Sequence, residues 1–399
     1  MPQPEITADQ LSKARWLVGE ARKHGGLAPL DVEKFWAEQD VAIKDCFSPT
    51  ITQCALGILM GGECVYDELG IPEDYRHYEN DDDWAVGLNK RYNDLSEKIV
   101  GRRLLGEQRL DRARLYPPRK ALHDIFEGRN LWHGHSWWLR QVAHNEDELK
   151  ALLDRVDKRL ENLRPFLLPE NWEPEKARLM ALGVKPAPYR NQRGPVTFAM
   201  SLYGVENTIF LILDKPDLAA RFRDTIIRAM LETARIIDEE AGCTPETAPR
   251  GFGFADDNCA MLTPEMYEFF GYPVLKAVFA RYSPDPKDRR GQHSDSAMGH
   301  LLPILGRLDF MDVNFGPTLS VAEIRQHCPR SAIIGQLAPF TFCRNQEEQI
   351  VAEFIRDFEQ ARAKRGLWFY TAGSINNGSR LTGMRLIMSA IQHFGQYDG

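Results

Sequence analysis

The chain has 399 residues, 43% of them hydrophobic, enough to bury a sizeable core. Its formal net charge of −7, with no basic stripe, excludes nucleic acid as an expected partner, because holding phosphates needs concentrated positive charge. Three further features predict a cytoplasmic protein with reduced thiols: no apolar stretch of membrane-spanning length, no leader-like start in MPQPEITADQ, and seven cysteines without CxxC spacing.

Residues 1–165 read as a helical and irregular extension. DQLSKARWLVGEARKH and NDLSEKIVGRRLLGEQ carry apolar residues at helical spacing, whereas GIPEDYRHYENDDDW reads as an acidic, turn-rich loop. Asp81, Asp82 and Asp83 are expected in that loop as solvated charges rather than as a metal site. WHGHSWW places His133 and His135 among Trp132, Trp137 and Trp138, and reads as an aromatic cluster, with a lid or a pair of metal ligands left open. Lys150 to Arg164 is predicted to be a charged helix whose Leu152, Leu153, Val156, Leu160 and Leu163 face the rest of the protein.

From residue 166 to 399 the pattern changes to short apolar runs, each ending in polar residues and each followed by a helix. RGPVTFAMSLYG, from Arg193, is read as a strand closed by glycine, and Asp217–Ala241 as the longest helix with Gly242 as its C-cap. GFGFA ends in Asp256 and Asp257, and Thr263 with Pro264 starts a helix running to about Tyr282. RGQ ends in His293 and Asp295, FMDV in Asn314, SAIIG in Gln336, and LWFYTA in Ser374, Asn376 and Asn377. Ser320 with Glu323 and Asn345 with Glu348 repeat the capping signature. Strands alternating with helices, with polar residues gathered at strand C-termini, predict an α/β chain of the (β/α)8 barrel class, a TIM barrel with an N-terminal helical extension.

Polar residues at the strand ends are the candidate site. Residues two apart on a strand share a face, so His293 and Asp295 can enter one cavity, as an acid/base pair or as two ligands of a divalent metal. Asp256 and Asp257 diverge, one toward the mouth and one toward the loop, and Asp257 joins His293 and Asp295 as a catalytic candidate. Asp256, Asn314, Gln336, Ser374, Asn376 and Asn377 are expected to contact substrate, and Arg193 and Arg380 to recognise a carboxylate through their fork geometry. GxGxxG, GxxxxGK[ST], HExxH and GxSxG are all absent, so nucleotide binding and serine-nucleophile chemistry have no sequence support.

The segments RGPVTFAMSLYG, DKPDLAARF, DDNCAMLTPEMYEFFGYPVLK, HSDSAMGHLLPILGRLDFMDVNFG, IIGQLAP and TAGSINNGSRLTGMRLIMSAIQHFG occur in the order that resembles the uroporphyrinogen decarboxylase superfamily over roughly residues 193–397. The resemblance implies a barrel with its active site at the C-terminal mouth of the strands. The superfamily's porphyrinogen decarboxylases carry an N-terminal arginine motif and a histidine after the last strand, and this chain lacks both. The zinc methyltransferases of the superfamily use a His-x-Cys pair and a later cysteine, where this chain has His293, Asp295 and then Ser374. The leading reading is therefore a decarboxylase-type lyase acting on a carboxylated small molecule other than uroporphyrinogen. The alternatives are the methyltransferase of a corrinoid-dependent demethylation system and a non-catalytic ligand-binding barrel. No cofactor is required beyond an optional divalent metal, with a corrinoid protein as partner only under the methyltransferase alternative. The other partner expectations are a small-molecule substrate, a homodimer as an open possibility, and no membrane.

Overall fold

The computed structural model describes residues 3–133 and 136–397, so His135 and its expected role lie outside the described residues. In chain order the strands are β1 (Ala55–Leu56), β2 (Asn130–His133), β3 (Ser136–Leu139), β4 (Asn191–Arg193), β5 (Phe252–Ala255), β6 (Arg290–Ser294), β7 (Asp312–Phe315), β8 (Ala332–Leu337) and β9 (Leu367–Thr371). The chain divides into two compact units, Met1–Leu110 with Asp312–Gly399, and Asp111–Met311. The boundary expected near residue 165 divides the chain by sequence, and the compact units cut across it.

In the first unit β1, β9, β8 and β7 are parallel neighbours in that order. Helix Ala8–Lys23 begins in a complete capping box between Thr7 and Gln10, and buries Ala14, Leu17, Val18 and Ala21 at helical spacing. It packs on helix Glu347–Ala361, where Gln10 Nε2 donates to Glu359 at 2.6 Å. Strand β1 lies in the stretch expected to be extension, and it has too few residues to show any alternation. Its open edge is satisfied by one buried side chain: Gln39 accepts from the Leu56 N–H at 2.8 Å and donates to the Leu56 carbonyl at 2.5 Å.

Asp81, Asp82 and Asp83, expected in a loop, begin a helix. Asp81 accepts from the Trp84 N–H at 2.9 Å as N-cap of Asp82–Val100, because carboxylates suit the unpaired amides of a helix start. That helix stops at Gly101, which takes the left-handed φ of 77° that glycine tolerates, so RRLLGEQ is not helical. Asn345 likewise has φ 52° and donates to the Gly378 carbonyl at 3.0 Å, and the next helix starts at Glu347 without a side-chain cap.

In the second unit β4, β5 and β6 are parallel neighbours, and β2 with β3 forms a separate antiparallel ribbon. RGPVTFAMSLYG corrects the strand reading: β4 ends at Arg193, and Pro195–Tyr203 is a helix with Pro195 in its first turn. Proline suits that position because its missing N–H would be unpaired there anyway. The long helix spans Pro216–Glu240 and the Thr263-capped one spans Pro264–Tyr282, both within a residue of the expectation. The charged helix is displaced toward the N-terminus, at Glu146–Leu160, where Asn145 caps it, and it packs against Pro216–Glu240.

One buried ion pair ties the start of β4 to that long helix. Arg190 donates twice to Asp238, at 2.8 and 2.7 Å, and once to the Pro249 carbonyl, while its guanidinium lies 4.1 Å from the Tyr282 ring centroid. Removing one partner of a buried pair strands the other charge, which costs about 3–5 kcal/mol. Asp238→Asn is therefore expected to lose stability in that range, read by denaturant titration. A loss below 1 kcal/mol would mean that the pair does not hold the strand.

Candidate active site

Alternation along β5 sorts the faces of this sheet. Phe254 packs on Phe279 and Phe252 on Tyr282, at centroid distances of 5.6 and 6.2 Å, so these two side chains face the helix Pro264–Tyr282. Gly253 and Ala255 therefore face the other way, and the register carries that face to Arg193 on β4 and His293 on β6. Asp257 and Asp295 each follow by two residues.

Asp257, His293 and Asp295 converge, with one potential ligand atom from each lying within 4.8 Å of the others. His293 Nε2 stands 3.6 Å from Asp257 Oδ1, and that oxygen accepts the Asp295 N–H at 3.1 Å. His293 and Asp257 are half-buried and Asp295 is exposed. Burial pushes the Asp257 carboxyl above its ordinary range, the charge of Asp295 adds to this, and His293 opposes it. A carboxyl that keeps a proton more readily than usual, beside an imidazole, can donate a proton or, once ionised, share a cation. One imidazole nitrogen and carboxylate oxygens form a ligand set suited to a divalent ion of intermediate or hard character.

Asp256 points elsewhere. It is fully buried and accepts the Thr197 N–H at 2.7 Å, which seats its carboxylate on the first turn of Pro195–Tyr203. A Cβ at Gly194 would stand 2.1 Å from the Asp256 Cβ, so only glycine leaves room for this seat. The expected substrate contact at Asp256 is corrected by this: a carboxylate held on helix amides and closed to solvent touches no substrate. Thr197, which the strand reading concealed, also accepts the Asn258 N–H through its hydroxyl at 2.9 Å and so braces the loop bearing Asp257. Cys259 is buried 3.9 Å from the Ser294 hydroxyl, on a strand residue next to His293 and hence of opposite facing, and burial raises its thiol well above the usual range. Arg193 donates weakly to Ser201 at 3.4 Å and has no carboxylate partner among the described residues.

In the other unit, Asn314 donates to the Ile334 carbonyl and, at 3.0 Å, to the Thr371 carbonyl, so its amide ties β7 to the adjacent β8 and to β9 beyond it. Gln336 is buried with a positive φ of 82° and accepts from Gln3 at 3.3 Å. Ser374 is exposed and Asn376 half-buried in the loop after β9, whose other residues are gripped by acids that the sequence reading overlooked. Glu73 accepts from Asn377, Asp67 from the Gly378 N–H, and Glu68 from the Leu381 N–H. Arg380, expected to hold a substrate carboxylate, donates to the Asp67 carbonyl, which also accepts the Gly70 N–H at 3.2 Å, because the carbonyl end of helix Gly62–Leu69 attracts a cation.

The family profile described as uroporphyrinogen decarboxylase (URO-D) matches residues 191–394. Among solved structures, a methyltransferase from Methanosarcina mazei is similar with a TM-score of 0.52 and 14% identity, over 86% of this chain and 94% of that one. No curated protein matches by sequence. No single helix among the described residues is long and apolar enough to cross a membrane.

Burial pushes the Asp256 carboxyl up to about 6 from 3.8. A raised folded-state value means that the protonated form stabilises the fold: the contribution is complete below about pH 4 and is lost as pH rises through 6, on the order of 2–3 kcal/mol. Asp256→Asn keeps an acceptor for Thr197 without a charge. Its stability relative to wild type is expected to rise by about that amount between pH 4 and pH 7, in paired denaturant titrations, and a constant difference would refute the assignment.

Proposed function

Because this chain belongs to the uroporphyrinogen decarboxylase family and has its barrel fold, we propose that it is a metal-assisted methyltransferase acting with a corrinoid protein on a small oxygen-bound methyl donor. The observation that carries this reading is the convergence of Asp257, His293 and Asp295. These three residues would hold the ion, and Arg193, in register with them, would orient an anionic group of the donor. A divalent ion bound there would supply Lewis acidity toward the donor oxygen. As the C–O bond breaks, the donor oxygen would keep the bonding pair and take up a proton from water, and the methyl would pass as a methyl cation to the electron pair of a reduced, cobalt(I)-level corrinoid carried by the partner protein.

Nitrogen and oxygen ligands favour activating an oxygen over activating a thiol, and Cys259 lies buried against Ser294. With Arg380 engaged by the Asp67 carbonyl, the strand ends carry few cations for a polycarboxylate. The second reading, a decarboxylase-type lyase, draws on Arg193 without a carboxylate partner and on the raised carboxyl of Asp257. There Arg193 would hold a substrate carboxylate while Asp257 protonates the carbon that loses carbon dioxide.

Metal analysis of purified protein is expected to find about one divalent ion per chain, lost in Asp257→Asn/Asp295→Asn, with circular dichroism showing that the metal-free variant folds. Because burial and the charge of Asp295 hold the Asp257 proton more firmly than usual and that proton must leave before the carboxylate can bind, metal affinity is expected to fall as pH is lowered. Metal-free protein that releases carbon dioxide from a carboxylated substrate, with activity lost in Arg193→Ala, would overturn the methyltransferase reading in favour of the lyase.

A further inference from the structure

A cavity of about 590 Å³ in the second unit takes no part in the candidate site. It lies among the later turns of Pro216–Glu240, the ends of Glu146–Leu160 and Pro264–Tyr282, and the loop that leads into β5. There the Gly251 N–H donates to the Tyr282 carbonyl at 2.7 Å, just before β5 begins, whereas Asp257 lies past the end of that strand. Leu160, Leu231, Pro245, Ala248 and Tyr282 give the cavity an apolar lining.

Most of the charges on its walls are committed. Asp157 accepts from Arg221 and Arg228 at 2.8 and 2.5 Å, Glu232 from Arg235 at 2.8 Å, Glu239 from Arg235 and Arg164, and Asp238 from Arg190. Each of these acids therefore already faces a cation, and the pairs hold the polar walls in place. Two lining charges remain. Arg281 is half-buried with its guanidinium 5.1 Å from the Tyr282 ring centroid, and it has no carboxylate partner among the described residues. Glu161 is exposed at the end of Glu146–Leu160, where water and salt screen it. Glu246, exposed in the neighbouring loop, accepts from the Thr244 hydroxyl at 2.8 Å and makes no ion pair with Arg281.

A preformed hollow of this volume, apolar but for a few placed polar groups, has the character of a small-molecule site. Its one half-buried, uncommitted cation sets the charge of the occupant. A planar carboxylate matches the guanidinium fork, whereas a phosphate dianion would find a single cation for two charges. We propose that this cavity is a second ligand site, for a small amphipathic monocarboxylate whose apolar body lies against Leu160, Leu231 and Ala248 and whose carboxylate meets Arg281. The site is independent of the reaction at the strand ends.

Cys243 supplies the readout, because it lines the cavity half-buried while every other cysteine except Cys343 is buried. Octanoate, octanol and octylammonium, matched in chain and different in charge, are titrated into Cys343→Ser protein while iodoacetamide labels Cys243, with the labelled fraction read by mass spectrometry. Octanoate is expected to slow the labelling and to bind more tightly than octylammonium. Arg281→Ala is expected to weaken octanoate roughly tenfold or more, the worth of a hydrogen-bonded charge, and to leave octanol unchanged. Cys243→Trp, which fills the cavity, is expected to abolish octanoate binding in titration calorimetry, with circular dichroism showing that both variants fold. Labelling indifferent to octanoate, octylammonium bound as tightly, or octanoate affinity unchanged in either variant would overturn the proposal.

Discussion

Everything at the candidate site depends on where β5 stops, and the buried carboxylate of Asp256 fixes that point. Seated on the Thr197 amide, it anchors the strand end to the first turn of Pro195–Tyr203. Neighbouring residues at a strand end diverge, so anchoring Asp256 on one side turns Asp257 to the other, where His293 and Asp295 converge with it. Gly194 makes the seat possible, since any side chain there would occupy the space of Asp256. Desolvation accompanies this arrangement, and it raises the carboxyl of Asp256 and also that of Asp257.

In the first unit the polar residues at the strand ends do a different job. Asn314 bonds to carbonyls of β8 and β9, and Arg380 and the backbone after β9 are gripped by the helix Gly62–Leu69 and its neighbours. Side-chain amides close gaps left by short strands, as Gln39 does for both backbone groups of Leu56. These residues organise the frame, while groups able to move a proton or hold a cation cluster at β5 and β6.

The barrel class was legible because five apolar runs, from GFGFA to LWFYTA, end in polar residues where β5 to β9 end, and because Thr263 and Ser320 are N-caps with visible signatures. That His293 and Asp295 share a cavity could be anticipated from period-two alternation, whereas alternation left open which of Asp256 and Asp257 joins them. Three things were hidden. β1 has only two residues and no periodicity, and its partners are a distant strand and a glutamine side chain. VTFAMSLY is apolar but for Thr197 and Ser201, too few polar residues for periodicity to separate helix from strand, and Pro195 in a first turn was the signal that decided it. Arg380 looked like a substrate anchor because sequence cannot show that a helix end more than 300 residues away supplies its acceptor.

The central claim is that Asp257, His293 and Asp295 together hold one divalent ion through nitrogen and oxygen. X-ray absorption spectroscopy of the metal-loaded protein tests it most directly. The account predicts a first shell of nitrogen and oxygen at about 2.0–2.2 Å, with the outer-shell scattering of a single imidazole and no sulfur. A sulfur shell near 2.3 Å, or an imidazole signal that persists in His293→Ala, would contradict it.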